Sequence, residues 1–267
     1  MSIVENRVWL IGGTSDSATI ASFLAESNIP LAITVATAAA RNLYPDMLVI
    51  AGCMDKTTMR DFCLRHQIIA VIDASHPYAV EVSHLAIAVA AKANLPYLRY
   101  ERLSYKASTA ITTNPNLTEL ASFTDLVAGN YLQNRRVLLT VGCKALSLFK
   151  PWQSKAVLFA RVLPKISSLE TALAAGFKSD RLIAIRPPLD RAFETALWQQ
   201  WQINLVVTKA SGTAGGEDIK RQVAADLNIP LIVITRPQVV YPQQTSVFTE
   251  VVAFTRQVTE FTDERTF

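Results

Sequence analysis

The chain has 267 residues, half of them hydrophobic, with a formal net charge of +4 and a sequence pI near 9.0. This length suits one large or two modest domains, and the evenly spread hydrophobic content excludes a disordered chain. The mild basicity fits an anionic ligand rather than a nucleic acid, because the densest basic pairs are only Arg135 with Arg136 and Lys220 with Arg221.

Short apolar runs alternate with helical patterns in the first part of the chain. The runs lie at 8–11, 31–35, 48–51, 70–72 and 97–98, and the helical patterns at 17–26, 57–66 and 80–93. Runs rich in Val, Ile and Leu without strict polar alternation are typical of strands buried on both faces of a parallel sheet. The order therefore predicts βαβ units.

A second series of the same kind follows. Apolar runs lie at 137–140, 157–162, 182–185, 205–208 and 231–234, with helical patterns at 192–201 and 218–227 and a closing helix at 247–261. A polar segment rich in turn-forming residues, 105–115, separates the two series. We therefore predict an α/β protein with two doubly wound parallel sheets, in domains 1–105 and 106–267, and expect the closing helix to pack onto the first domain.

Three junctions share the pattern Asn-x-Pro, in which one apolar residue separates Asn from Pro and a predicted buried strand follows. They read SNIPLAITV (27–35), ANLPYLRY (93–100) and LNIPLIVIT (227–235). Asn tolerates the left-handed conformation that ends many helices, and Pro cannot continue one. We predict left-handed helix ends at these asparagines, and no sequence repeat.

The cysteine pattern and the length of the apolar stretches indicate the cellular compartment of the protein. Cys53, Cys63 and Cys143 form neither a disulfide framework nor a CxxC metal pair, so we expect reduced thiols, no metal site and a cytoplasmic protein. We expect no secretory leader, because the first residues lack a charged-then-apolar segment with a small-residue cleavage site. The longest weakly polar stretch, 85–93, is far shorter than the ~20 residues of a membrane span.

The first candidate site follows the first predicted strand, in the sequence GGTSDS (12–17). Gly12 and Gly13 allow a sharp turn, and Thr14 and Ser15 can cap the following helix. A helix start after such a turn attracts phosphate. The sequence is not GxGxxG, because Asp16 and Ser17 occupy the place of the last glycine.

The loop after the second predicted strand bears on cofactor choice. Enzymes that prefer NAD usually place an acid about 20 residues after the glycine turn. Here Thr37 and Arg41 lie in that loop, and the next acid is Asp46. A hydroxyl and an arginine suit a 2′-phosphate, so we expect NADPH, with NADH as the alternative.

Two further loops end buried strands, where ligands bind in open α/β sheets. The loop DASHPY (73–78) offers Asp73, Ser75, His76 and Tyr78. The loop TKASGTAGG (208–216) offers a cation and a glycine-rich turn suited to anions, and it is not a Walker A loop because no GK[ST] exists. Its candidate residues are Lys209, Ser211, Gly212 and Thr213.

Taken in order, these segments resemble the precorrin-6A and cobalt-precorrin-6A reductases of corrin (vitamin B12) biosynthesis. The resemblance rests on GGTSDS, the 37–41 loop, DASHPYA (73–79), PYLRYERLSY (96–105), TVGCKAL (140–146), RVLP (161–164) and TKASGTAGG. It spans almost the whole chain, and DASHPYA and TKASG are its most specific parts.

The resemblance implies two Rossmann-like domains with a cleft between them and hydride transfer from a reduced nicotinamide to the precorrin-6A macrocycle, giving precorrin-6B. It implies that Gly12, Gly13, Thr14, Ser15, Thr37, Arg41, Asp73, Ser75 and His76 bind the cofactor. Lys209, Ser211, Gly212, Thr213 and Lys144 would bind a polycarboxylate tetrapyrrole. His76 and Tyr78 are the candidate proton donors. We expect a monomer or small homo-oligomer that binds neither nucleic acid nor membrane.

Two positions depart from the family pattern. Ala40 stands where the family has glycine before the arginine of the adenosine loop, which weakens the NADPH argument. Cys143 stands where the family has arginine, with Lys144 beside it as a substitute cation.

Two other classes of function fit part of the sequence. A non-catalytic dinucleotide-sensing module would keep the glycine turn without needing the 73–78 and 209–216 loops, and a tetrapyrrole-binding protein would bind the macrocycle but no dinucleotide. A short-chain-type dehydrogenase would need a Tyr-x-x-x-Lys pair, and no tyrosine here has Lys four residues later.

Overall fold

The computed structural model describes residues 6–102, 116–187 and 189–263. The chain forms two compact units: unit 1 is Met1–Arg102 with Gln238–Phe267, and unit 2 is Leu103–Pro237. This division differs from the predicted boundary 106–267, because the chain returns to the first unit after residue 237. The segment 105–115, where we predicted the boundary, lies outside the described residues.

Unit 1 contains a six-stranded parallel sheet. Its strands are β1 (Arg7–Ile11), β2 (Leu31–Val35), β3 (Val49–Ala51), β4 (Ile68–Asp73), β5 (Tyr97–Tyr100) and, late in the chain, β12 (Gln244–Thr245). Their order is β12-β5-β4-β1-β2-β3. The order reverses between β1 and β4, which is the doubly wound arrangement.

Helices cover both faces of this sheet. They are α1 (Ser15–Glu26), α2 (Lys56–Arg65), α3 (Val80–Lys92) and α8 (Phe248–Asp263). Alternate residues of β1 face opposite layers: Leu10 packs in the cluster that includes Ile20 of α1 and Val251 of α8, whereas Trp9 packs with Phe62 of α2 and Val89 of α3. The closing helix therefore belongs to the first unit, as predicted.

Unit 2 repeats this plan. Its sheet has the order β6-β11-β10-β7-β8-β9, and every pair is parallel. The strands are β6 (Leu117–Leu120), β7 (Arg136–Thr140), β8 (Val157–Val162), β9 (Leu182–Ala184), β10 (Leu205–Lys209) and β11 (Leu231–Ile234). The helices are α4 (Phe123–Ala128), α5 (Ile166–Ala174), α6 (Arg191–Gln200) and α7 (Glu217–Asp226).

The ten predicted strands are all present. The three asparagines of the repeated junction, Asn28, Asn94 and Asn228, have φ of 57°, 53° and 51°, so the predicted left-handed helix ends are confirmed. Among the β-strands and α-helices of the described residues, β6, β12, α4 and α5 were not predicted. Within the described residues, no helix is both long and apolar enough to cross a bilayer.

Candidate functional site

Two of the predicted loops meet at the point where the strand order of unit 1 reverses. β1 and β4 are neighbours in the sheet, and Ile11, the last residue of β1, pairs with Asp73, the last residue of β4. The loop that begins at Gly12 and the loop that begins at Ala74 therefore leave the sheet side by side. In open α/β sheets this crevice is where ligands bind.

A glycine turn leads from β1 into the N-terminus of α1. Gly13 has φ +106°, and nothing lies within 4 Å of the position a Cβ would take there. Thr14 caps α1 by accepting a hydrogen bond from Ser17 N at 3.0 Å. At such a helix start the N–H groups of Ser15 and Asp16 have no acceptor within the helix, so they are positioned for an anion.

Thr14 also joins the two loops. Its hydroxyl donates to the carbonyl of Ala74 at 3.0 Å, and Ala74 N donates to the carbonyl of Ile11 at 3.0 Å. The glycine turn and the 73–78 loop are thus held together by hydrogen bonds on both sides of the crevice.

Tyr44 supports the glycine turn and was not predicted from the sequence. Its side chain is buried, with the hydroxyl 2.6 Å from Gly13 N and 2.7 Å from the Ser17 hydroxyl. A Cβ at Gly12 would overlap the Tyr44 hydroxyl. Gly12 is therefore required by close packing. Nothing in the local sequence around Tyr44 connects it to a turn 31 residues away.

A pocket of about 320 Å³ opens over this crevice. Five predicted residues line it: Gly12, Gly13, Thr37, Ser75 and His76. An apolar wall of Met54, Met59, Val82 and Leu85 faces them, and Gly52, Cys53 and Glu81 complete the rim. Of the lining residues that were not predicted, Gly52 could have been found from the sequence, because it directly follows β3 and lies at the same edge of the sheet as the predicted loops.

The structure corrects the prediction that Asp73 contacts a cofactor. Its side chain has no exposed surface and is fully engaged inside unit 1. Its carboxylate accepts hydrogen bonds from Ser75 N, the hydroxyls of Ser83 and Tyr97, and the guanidinium of Arg99. Asp73 therefore stabilises the 73–78 loop from inside the protein and does not reach the pocket surface.

Arg99 completes this buried network and was also missed. It bonds Asp73 at 2.8 Å, the Ser75 hydroxyl at 3.0 Å and Glu101 at 3.0 Å. Burial, the largest single effect, opposes the charge of Arg99, but Asp73, Tyr241 and Glu101 outweigh it and raise the pKa of the guanidinium. Burial and the adjacent Asp73 carboxylate raise the pKa of Tyr97, so its hydroxyl stays a donor.

The two candidate proton donors occupy different places. His76 is exposed and lines the pocket, and its Nδ1 accepts a hydrogen bond from Tyr78 N at 3.3 Å. Tyr78 is half-buried and is not among the lining residues, although its ring centroid lies 5.7 Å from that of His76. His76 is thus the one that the pocket presents to a ligand.

The predicted adenosine loop lies at the pocket rim. Thr37 and Ala40 line the pocket, and Arg41 is an exposed residue one position further along. The loop is a 3-10 turn over Ala38–Leu43 that Thr37 precedes. Arg41 therefore lies at the edge of the pocket and not in its wall.

Unit 2 carries the equivalent pair of loops at the ends of β7 and β10. Thr140 and Thr208 pair across these strands, and a Cβ at Gly142 would lie 3.9 Å from Lys209 Nζ. Burial lowers the pKa of Lys209, the nearby Lys144 adds to this, and Cys143 opposes it. Lys144 itself is exposed. The two predicted cations are therefore neighbours.

In the glycine-rich loop after β10, the backbone N–H of Gly212 is not available to bind an anion. Gly212 N donates to the buried carboxylate of Glu217 at 2.8 Å, so this N–H is already used within the chain. Lys220, also buried, donates to the carbonyls of Gly215 and Gly216 at 2.6 and 2.9 Å. The prediction for Gly212 is corrected to a structural role. Ser211 and the exposed Thr213 remain at the loop surface.

Comparison with known proteins agrees with this geometry. The family model described as Precorrin-6x reductase CbiJ/CobK matches residues 7–256. A cobalt-precorrin-6A reductase from Synechocystis sp. is 43% identical over 253 residues, covering 92% of this chain and 95% of the relative. One from Priestia megaterium is 34% identical, covering 92% and 96%.

A solved structure described as CobK precorrin-6A reductase has the same fold, with a TM-score of 0.77 and 21% identity, covering 95% of this chain and 97% of the other. The family model and the curated relatives span both units, including the crevice at β1 and β4 and the loops at β7 and β10. The chain belongs to the precorrin-6x reductase CbiJ/CobK family.

Proposed function

We propose that this chain is an NADPH-dependent reductase that transfers hydride to precorrin-6A or cobalt-precorrin-6A and yields the corresponding 6B product. Its family is one of reductases, and curated relatives carry the name cobalt-precorrin-6A reductase. The observation that carries the cofactor part is the pocket over the glycine turn, which leads directly into the start of α1.

The residues of this pocket fit a dinucleotide. The open space at Gly13 and the N–H groups of Ser15 and Asp16 at the start of α1 suit a pyrophosphate. The apolar wall of Met54, Met59, Val82 and Leu85 suits a flat ring. A reduced nicotinamide supplies the hydride when bound, and the protein's task is to position it and to exclude competing reactions.

The choice of NADPH over NADH rests on the loop after β2. An acid at the end of β2 would bind the ribose hydroxyls of NADH. That loop carries Thr37 and Arg41 instead, and the acid among the lining residues, Glu81, belongs to α3. Arg41 at the rim would bind the 2′-phosphate.

Reduction of a carbon–carbon or carbon–nitrogen double bond requires a proton as well as a hydride. We assign this proton to His76, because its imidazole is exposed in the pocket. Tyr78 orients the ring through its backbone N–H and is the second candidate. Replacing His76 by Ala should lower turnover measured at saturating NADPH and saturating substrate, and the exposed His84 provides the matched His84→Ala control. Undiminished turnover in His76→Ala would exclude it as the donor.

The macrocycle carries several carboxylates, so its site should present cations. Lys209 and Lys144 lie together at the ends of β7 and β10, with Ser211 and Thr213 as hydroxyl donors on the adjacent loop. We propose that these four side chains bind substrate carboxylates. Gly212 supports the loop through Glu217. A cytoplasmic location and a monomer or small homo-oligomer stay predictions.

The test is a single-turnover assay. The protein is incubated without oxygen with NADPH and, in separate reactions, precorrin-6A and cobalt-precorrin-6A. We expect loss of the dinucleotide absorbance together with a product heavier by two hydrogen atoms for at least one substrate. Absence of both signals with both substrates would contradict the proposed function.

A further inference from the structure

A second pocket lies in unit 2 at the opposite ends of the strands from the loops described above. It has a volume of about 570 Å³. It surrounds the amino ends of three neighbouring strands, because Arg136 begins β7, Val157 begins β8, and Arg181 directly precedes β9. The substrate loops of unit 2 follow the carboxyl ends of β7 and β10, so the two places are separated by the length of the sheet.

The lining of this pocket is strongly basic. Five of its residues are cations and none is an acid; the cations are Arg135, Arg136, Lys155, Lys178 and Arg181. The remaining residues are small, polar or apolar. Arg135 and Arg136 are adjacent in the sequence, and folding brings them together with three cations from later segments. The pocket alone holds more positive charge than the net +4 of the whole chain.

Ion pairs do not account for the positive charge of this pocket among the described residues. In the part of the chain that the structure describes, no carboxylate forms an ion pair with Arg135, Lys155, Lys178 or Arg181, although other arginines of unit 2 do form such pairs. Like charges held in one cavity repel each other, and a bound anion would offset this repulsion. The charge pattern therefore indicates a ligand with more than one negative group.

Part of the pocket is held in a fixed arrangement. The guanidinium of Arg136 donates through Nε to the carbonyl of Trp201 at 2.9 Å and lies 5.1 Å over the Phe159 ring. The ammonium of Lys155 lies 5.4 Å from the centre of the Trp152 ring. Groups that are already ordered lose less entropy when they bind a ligand.

Gly176 contributes no side chain to the wall of the pocket that it lines. It has φ +89°, a conformation that favours glycine, and a Cβ there would meet Gln153 Cγ at 3.5 Å. The Gln153 amide beside it donates to the carbonyl of Ala175 at 3.5 Å. The wall is thus formed by backbone and an amide, which leaves the charged rim accessible to a small anion.

We propose that this pocket is a binding site for a small multivalent anion, one that carries at least two phosphate or carboxylate groups. Guanidinium groups bind both kinds of group through paired hydrogen bonds, and ammonium groups add charge without geometric demand. The site is independent of the dinucleotide pocket in unit 1 and of the reductase assignment.

The test uses pyrophosphate and citrate as separate probes, titrated by calorimetry into the full chain at low ionic strength, where screening is weak. We compare the wild type with the double variant Lys178→Gln, Arg181→Gln and with Lys150→Gln, an exposed lysine of unit 2 outside the pocket. Unchanged thermal melting of each variant verifies that it is folded.

We expect saturable binding of at least one probe at one molar equivalent, weakened by about tenfold or more in the double variant and unchanged in Lys150→Gln. Binding of pyrophosphate alone would assign a phosphate ligand, and binding of citrate alone a polycarboxylate; both support the site. Absence of saturable binding by either probe, or equal weakening in Lys150→Gln and the double variant, would overturn the proposal.

Discussion

The guanidinium of Arg99 and the carboxylate of Asp73 form an ion pair at 2.8 Å in which neither side chain has any exposed surface. The pair joins β5 to the last residue of β4, directly behind the loop that carries His76. Arg99 also holds the Ser75 hydroxyl. The position of the exposed His76 therefore depends on a charged network in the core of unit 1.

Breaking this pair should cost much more stability than breaking an exposed one. Arg99→Met leaves the buried Asp73 carboxylate without its cation, and the loss of one partner of a buried pair costs about 3–5 kcal/mol of unfolding free energy. The matched control is Arg60→Met, because Arg60 pairs with Asp61 at 3.0 Å on the surface. Exposed pairs contribute about 0–1 kcal/mol. Denaturant unfolding measures both variants, and equal losses would contradict the role given to Arg99.

Gly12 and Tyr44 should be energetically coupled. Gly12→Ala places a methyl group against the Tyr44 hydroxyl, and such overpacking costs about 1–3 kcal/mol. Tyr44→Phe removes that hydroxyl together with its bonds to Gly13 N and Ser17. The double variant should therefore be more stable than the sum of the single losses predicts, by about 0.5–3 kcal/mol. Strict additivity in the unfolding free energies would show that the two residues do not meet as described.

Thiol labelling can locate the dinucleotide. Cys53 is exposed and lines the pocket, whereas burial raises the pKa of the Cys63 thiol to about 11, so Cys63 should react slowly at pH 8. Saturating NADPH should slow the alkylation of Cys53 by iodoacetamide. Peptide mass spectrometry measures the extent of alkylation at each cysteine. Cys143 in unit 2 serves as the internal reference and should label at an unchanged rate. Equal labelling of Cys53 with and without NADPH would place the cofactor elsewhere.

Lys220 should make the stability of unit 2 depend on pH. Burial lowers the pKa of its ammonium to about 8 in the folded chain, from the ordinary value of 10.5. The unfolded chain therefore binds the proton more tightly, and this contribution is present in full above pH 10.5 and is lost as the pH falls to about 8. The unfolding free energy of the wild type, relative to Lys220→Met, should rise across this window. If the difference in unfolding free energy between the wild type and Lys220→Met stays constant between pH 8 and pH 10.5, the lowered pKa of Lys220 is contradicted.

The sequence predicted the elements with strong apolar runs and the loops at their ends. Gly12, Gly13, Thr37, Ser75 and His76 were found in this way because position at a strand end is a local property of the sequence. The short edge strands β6 and β12 were missed because each needs a partner strand from far along the chain.

The supporting residues of the site were missed for a related reason. Tyr44 and Arg99 act through contacts 31 and 26 residues away, which no local pattern reveals. Asp73 and Gly212 were interpreted as ligand contacts because they stand in polar loops. Only the structure shows that partners within the chain, Arg99 for Asp73 and Glu217 for Gly212, occupy these groups.

The most direct test of the central claim is titration of the wild type and of Arg41→Ala with NADPH and with NADH, followed by cofactor fluorescence. Arg65→Ala, an exposed arginine of unit 1 outside the pocket, is the control. We predict that the wild type binds NADPH more tightly than NADH, and that Arg41→Ala weakens NADPH binding by about tenfold or more without affecting NADH. Failure of the wild type to bind either dinucleotide would contradict the account of the pocket.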